Sequence, residues 1–169
     1  SVLVKVNCRL KDAAEFSALG NYIGRQVVDG IPTFSGIENA GIDDLKTLGA
    51  AMAASGAVAL YFPKTTSIEG LEVVEFDEST LRETSEFLNC GSDPDLIAVG
   101  CPHASLEEIR TVASLLKGGK VTRETWVCTS RAIKTWADRQ GYTAVIEDAG
   151  ARLVCDTCMV VAPIDEMGF

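Results

Sequence analysis

Leu96-Ile97-Ala98-Val99-Gly100-Cys101-Pro102-His103-Ala104-Ser105-Leu106-Glu107-Glu108-Ile109 is the stretch on which the fold turns. Four apolar, partly β-branched residues predict a buried strand from Leu96 to Val99. Gly100 to His103 predicts a tight turn, and Ser105 with Glu108 three residues later forms a capping box that starts a helix. Strand, short turn and capped helix in this order are the repeating unit of a parallel α/β sheet, and the rest of the chain repeats it.

Downstream, Leu106, Ile109, Val112, Leu115 and Leu116 are spaced to face a core, and Gly118-Gly119 ends that helix. Glu124 to Cys128 predicts the next strand, followed by a helix carrying Ile133, Trp136 and Ala137 up to Gly141 and a second short helix to Gly150. Trp126 and Trp136 both match core positions of their elements. The strand Ala151 to Val154 then delivers Cys155. In open parallel sheets with right-handed crossovers, ligands gather at the carboxyl ends of strands, and Cys101, Cys128 and Cys155 each fall at such an end.

Upstream the same alternation holds. Leu3 to Val6 predicts a strand, and Phe16, Leu19 and Ile23 a helix that Gly24 helps to end. Ile31 to Phe34 is a short extended piece closed by Gly36. Asp43 or Asp44 caps a helix carrying Leu45, Leu48 and Met52, which Gly56 stops. Ala57 to Phe62 is a continuous apolar run, the pattern of a strand buried on both faces. Pro63 to Gly70 reads as a loop, Leu71 to Phe76 as a strand and Ser79 to Leu88 as a helix. Asn89 to Asp95 gathers turn-forming residues, so a soft boundary divides the chain into α/β subdomains 1–90 and 91–169.

Composition narrows the function. Of 169 residues 47% are apolar and 23% charged, which is globular and excludes a disordered tail or a fibre. Acids outnumber bases 24 to 15, a net charge of −9, so the surface would repel a nucleic-acid backbone. No apolar run approaches the roughly 18–20 residues that cross a bilayer, and no secretion signal opens the chain, so the expectation is a cytoplasmic protein with no membrane partner. The chain begins at Ser1 without a methionine and stops at Phe169 with no closing element in view, so it reads as a piece of a longer protein. Gly20 and Gly24 lie inside a helical pattern, and no glycine-rich nucleotide fingerprint follows a strand.

Six cysteines without a secretion signal predict reduced thiols. Cys155-Asp156-Thr157-Cys158 is a C-x-x-C with four readings: a redox pair, a zinc site shared with Cys101 and His103, small buried residues, or cluster ligands. A redox pair needs the motif at the start of a helix, whereas Met159-Val160-Val161-Ala162-Pro163 follows here. Cys101, just before a capped helix whose dipole favours thiolate, favours the cluster reading. Three thiolates on a cubane leave one iron open, which suits catalysis more than electron transfer. Cys8, Cys90 and Cys128 read as structural, Cys128 flanking the site.

The segment Ala98 to Ile109, the spacer with Asp138-Arg139-Gln140-Gly141-Tyr142 and the motif Cys155 to Cys158 resemble the cluster-binding region of aconitases, most of all the aconitase X family. Ala18-Leu19-Gly20-Asn21-Tyr22-Ile23-Gly24 and Asp44-Leu45-Lys46-Thr47-Leu48-Gly49-Ala50 resemble the same family, so the likeness covers most of the chain as the latter half of a large subunit. The resemblance implies an aconitase-like layered αβα fold with mainly parallel sheets. It also implies an iron–sulfur hydro-lyase whose cluster, a 4Fe-4S group, is held by Cys101, Cys155 and Cys158. The open iron would bind the substrate hydroxyl as a Lewis acid while a base removes a proton beside a carboxylate. That base is expected on a small swivel-domain subunit, a partner of the large subunit whose remainder lies outside this chain.

Two reactions are implied: dehydration of phosphomevalonate to anhydromevalonate phosphate in isoprenoid biosynthesis, favoured by the run Cys155 to Pro163, and dehydration of cis-3-hydroxy-L-proline. A departure stands at Phe62-Pro63-Lys64, where the family usually has a histidine after the Ala-Leu-Tyr run. Among other residues, Ser130 is a candidate base, although a serine at a strand-to-helix junction is also an N-cap. His103, the single histidine, is a candidate acid–base group, substrate contact, turn residue or zinc ligand. Arg131 and Lys134 could meet a carboxylate or phosphate, or be solvated surface charges. A different class of function, a non-catalytic zinc or cluster-binding interaction domain, fits the same cysteines.

Overall fold

The computed structural model describes residues 1–27, 30–64, 70–91 and 93–168. The chain forms two compact units, Ser1–Gly91 and Ser92–Phe169, each a parallel α/β sheet with helices. No helix among the described residues is long and apolar enough to cross a membrane.

The first unit runs β1 (Val2–Val6), α1 (Ala13–Gln26), β2 (Pro32–Ser35), α2 (Ile42–Gly56), β3 (Glu72–Phe76) and α3 (Glu78–Leu88). Its sheet has the order β2-β1-β3, all parallel, with Val4 opposite both Phe34 and Val74. Val4, Val6, Phe34 and Phe76 from the strands pack with Phe16, Leu19 and Ile23 of α1, Leu48 and Met52 of α2 and Leu81 of α3. Helices α1 and α2 touch almost backbone to backbone: a Cβ on Gly20 would lie 2.5 Å from the Leu48 carbonyl oxygen, and one on Gly56 would lie 1.7 Å from that of Gly24.

Three sequence expectations change here. Gly24 does not end α1, which continues to Gln26, because this glycine serves the approach of α2. Gly41, not an aspartate, is the N-cap of α2; Asp44 sits in the first turn and its carboxylate accepts the Gly41 N–H at 2.9 Å. Ala57 to Phe62 is not a doubly buried strand: only Phe62 pairs, in one parallel bridge to Thr33, and Leu60 and Phe62 remain 53% and 50% exposed. Ala57 is consumed by the left-handed termination of α2, so only Val58 is buried, while Tyr61 is half-buried and donates its hydroxyl to the Leu45 carbonyl. Of the expected loop Pro63 to Gly70, residues 65–69 lie outside the described residues, as does residue 92 within the expected boundary.

The second unit runs β4 (Leu96–Val99), α4 (Leu106–Leu116), β5 (Glu124–Thr129), α5 (Arg131–Gln140), α6 (Tyr142–Asp148), β6 (Arg152–Cys155) and α7 (Ile164–Met167). Its parallel sheet has the order β4-β5-β6, which makes β5 the central strand. Val127, Leu153, Ile109, Ala113, Ala137 and Ile146 form the core between sheet and helices. The Ser105/Glu108 capping box is present, and Gly141 terminates α5 in the left-handed region with φ 76°. Two expected core residues are outside it: Leu115 is 80% exposed and Trp136 53%. On α4 the buried line runs through Ile109 and Ala113, which turns Leu115 away, and Trp136 instead lies under the Arg139 guanidinium. The short helix α7 follows Pro163, where the sequence suggested no closing element.

Candidate functional site

The site is built around the carboxyl end of β5. The turn after β4 presses against it: Gly100 has φ +96°, and a Cβ there would come within 2.1 Å of the Cys128 carbonyl oxygen, so only glycine fits. Ala104 donates its N–H to that same carbonyl at 2.8 Å, and the buried Thr129 hydroxyl donates to the Ala104 carbonyl at 2.7 Å. The turn that carries Cys101, with its cis Cys101-Pro102 bond, is thereby fixed at both ends.

The C-x-x-C loop leaves β6 on the other side of β5. Asp156 donates its N–H to Thr129 at 2.9 Å and then turns the chain with φ 57°, a conformation that aspartate tolerates better than most residues. Its carboxylate accepts the Arg131 backbone N–H at 2.9 Å and pairs with the Arg131 guanidinium at 2.9 Å. His103 meets the Thr157 carbonyl through Nε2 at 3.1 Å, which joins the Cys101 turn directly to the C-x-x-C loop. The Cys158 carbonyl accepts the N–H groups of Val161 and Ala162.

These contacts bring the Cys101 and Cys158 thiols within hydrogen-bonding reach of each other. Cys101 lies at the exposed edge of the turn, yet partial desolvation of its thiol, then the Cys158 contact, raises it above its ordinary pKa. Cys128 is fully buried beside Cys158; burial and Cys158 raise its pKa, and a hydrogen bond from the Met159 N–H opposes the rise. Cys155, half-buried at the end of β6, has different surroundings: burial raises its pKa, the Lys134 and Arg131 cations lower it, and Asp156 and Asp138 raise it. Among the described residues, no three His, Cys, Asp or Glu side chains stand ready as a metal site.

Of the residues singled out in the sequence, the structure therefore brings together Cys101, Cys158 and His103, with Cys128 alongside, and gives Cys155 a neighbouring position. Ser130 accepts the Ile133 N–H and is the N-cap of α5. Lys134 pairs with Asp138. Cys90 is exposed, so it is no part of a core; Cys8 is half-buried in the first unit, its thiol raised by burial and by Glu78, Glu15 and Asp77. Asp156 and Thr129 were not singled out; an aspartate inside the C-x-x-C, a residue type that tolerates left-handed backbone, was the available signal for Asp156.

Two convergent thiols on backbone-anchored turns are soft donors that fit an iron–sulfur cluster. They fit a zinc site completed by His103 Nε2 less well, since that nitrogen is engaged by a carbonyl. The segment after Cys158 is turn rather than helix until Ile164, which is not the setting of a thioredoxin-like pair.

Residues 1–86 match the family model for the aconitase X second domain, and residues 94–169 that for the aconitase X third domain. The chain is 45% identical to the phosphomevalonate dehydratase large subunit of Methanothermobacter thermautotrophicus, covering 98% of this chain and 44% of that protein. It is 29% identical to the cis-3-hydroxy-L-proline dehydratase of Hypocrea jecorina, covering 90% of this chain and 29% of that protein. The crystal structure of Thermococcus kodakaraensis aconitase X in its holo-form superposes with a TM-score of 0.88 at 35% identity, covering 98% of this chain and 46% of that one. The chain thus spans less than half the length of these curated relatives.

Proposed function

This chain belongs to the aconitase X family, and we propose on that premise that it forms two domains of a phosphomevalonate dehydratase large subunit. The reaction is loss of water from phosphomevalonate: a C–O bond and a neighbouring C–H bond break, a C=C bond forms, and anhydromevalonate phosphate results. The convergence of the Cys101 and Cys158 thiols at the carboxyl ends of the second sheet carries this reading. Identity of 45% to a phosphomevalonate dehydratase subunit, against 29% to a hydroxyproline dehydratase, supports the choice of substrate.

Cys101 and Cys158 would hold a 4Fe-4S cluster, with the neighbouring Cys155 drawn in as the third ligand. The cluster, when bound, supplies an iron that acts as a Lewis acid toward the substrate hydroxyl. Three thiolates must be reached from thiols whose partial desolvation opposes ionisation at Cys101 and Cys155, so the cations Lys134 and Arg131 near Cys155 assist there. To the exposed Arg131 guanidinium, which pairs with Asp156, we assign a contact with a substrate carboxylate. Ser130 is committed to capping α5 and His103 to Thr157, so the base that takes the C–H proton comes from outside this chain, from the small swivel-domain subunit. The cytoplasm, with its reduced thiols, is the compartment this chemistry needs.

The test is an anaerobic assay of the full-length large subunit with its small partner, offered phosphomevalonate and cis-3-hydroxy-L-proline in separate arms, with iron and zinc measured on the same samples. Dehydration of phosphomevalonate by a brown, iron-loaded protein is the expected result. Turnover of the proline alone overturns the substrate, and colourless protein holding one zinc and no activity favours the non-catalytic domain. Cys101→Ala, Cys155→Ala and Cys158→Ala should each abolish cluster retention, while Cys90→Ala leaves it intact. Unchanged iron in the Cys155 variant would move the third ligand to Cys128 or to a donor outside this chain.

A further inference from the structure

The two residues between Cys155 and Cys158 are each gripped by a different element, and neither grip is needed for the local secondary structure. Ser130 already caps α5 by taking the Ile133 N–H, yet the Asp156 carboxylate reaches the first N–H of the same helix, on Arg131, and the Arg131 guanidinium as well. The cap leaves this first N–H without an intrahelical partner, so Asp156 ties the loop to α5 through an otherwise unused donor. His103 is exposed, so packing does not explain its orientation; its Nε2 reaches the Thr157 carbonyl, which accepts only if that nitrogen carries the proton.

We propose that Asp156 and His103 are positioning residues that hold the C-x-x-C loop from its two inner residues and so keep the Cys158 thiol against Cys101. The proposal rests on the cysteine pair being the functional site, and it assigns these side chains no contact with substrate. The chain between Asp156 and Cys158 contains a single residue, so fixing the Asp156 carboxylate and the Thr157 carbonyl leaves little freedom to the Cys158 Cα. Releasing both would let the loop swing about the left-handed Asp156 and separate the thiols.

The test is made on the reduced, cluster-free full-length protein with a fluorogenic dibromobimane that reacts at two neighbouring thiols, the bridge being mapped by peptide mass spectrometry. Asp156→Gly removes the carboxylate while keeping the backbone freedom that φ 57° requires. Asp156→Gly and His103→Ala should each lower the Cys101–Cys158 bridge by about threefold, and the double variant further, because the effective concentration of one thiol at the other falls. His103→Gln, whose side-chain amide can donate to the same carbonyl, should restore bridging. Circular dichroism and thermal melting of every variant confirm that the second unit remains folded, and iron uptake after anaerobic reconstitution should follow the same order. Undiminished bridging in the folded double variant overturns the proposal. Because the bridge is read without cluster or substrate, loss of bridging in an enzyme that dehydrates neither candidate would sustain the positioning role and overturn the proposed function alone.

Discussion

Thr129, the last residue of the central strand β5, donates its buried hydroxyl to the carbonyl of Ala104 at 2.7 Å, and this bond, beside that of the Ala104 N–H to the Cys128 carbonyl, clamps the Cys101 turn to the sheet. Thr129→Val keeps the shape and removes the donor, leaving a buried carbonyl with one partner fewer. The expected loss is about 1–2 kcal/mol in urea unfolding, with Thr129→Ser retaining more of the stability. A Thr129→Val protein as stable as the parent would show that the clamp contributes nothing.

The contact of α1 with α2 depends on missing side chains. Gly20→Ala would place a Cβ 2.5 Å from the Leu48 carbonyl oxygen and 2.7 Å from the Ala51 Cβ, and the backbone atom cannot rotate aside. Separation of the helices should cost about 1–3 kcal/mol, measured by denaturant unfolding. Gly41→Ser, at an N-cap with φ −75° and no crowding closer than 3.4 Å, should instead stabilise α2 by a few tenths of a kcal/mol.

Asp77 caps α3, and hydrogen bonds from the Thr80 N–H and hydroxyl hold its carboxyl below the ordinary aspartate pKa. A depressed folded-state pKa stabilises the fold above the unfolded-state value, and that contribution is lost as pH falls through the lowered folded value. Asp77→Asn should therefore reduce the acid sensitivity of α3, seen as a flatter melting temperature between pH 5 and the strongly acidic range, about pH 2. An unchanged profile would exclude this carboxylate as a source of acid lability.

Thiol reactivity should order the cysteines of the reduced, cluster-free protein. Cys90 is exposed and should be alkylated by iodoacetamide first; Cys128, fully buried with a raised pKa, should react last. Because the pKa of Cys101 is also raised, its thiolate fraction near pH 8 falls below that of an ordinary thiol and its alkylation rate should keep rising with pH beyond the ordinary cysteine range. Peptide mass spectrometry over a pH series reads both statements, and rapid labelling of Cys128 in folded protein would contradict its burial.

The second unit was the more legible half. Ser105 with Glu108, Gly141 and the β-branched runs are local signals, and each marks an element boundary that the structure shares to within a residue or two. Local signals misled where a neighbour decided the outcome. Gly24 looks like a terminator but is spacing for α2, and the apolar run from Ala57 is spent on a helix cap and one bridge. Trp136 and Leu115 fit an inward period when counted alone, yet the line of side chains that meets the sheet lies elsewhere on each helix. At the site, the C-x-x-C and the turn of Cys101 were visible as spacing; the division between Cys158, which meets Cys101, and Cys155, which looks toward Lys134 and Arg131, was not.

By itself the order of residues determined the parallel α/β class, the positions of most strands and helices, and the family to which the chain belongs, since periodicity, caps and motifs are short-range properties written along the chain. Tertiary structure alone decided which sulfur meets which, through the order β4-β5-β6 and the anchoring of two loops to the end of β5. The physical reason is that a contact between residues far apart in sequence depends on strand register and on a left-handed turn at Asp156, and neither leaves a periodic trace.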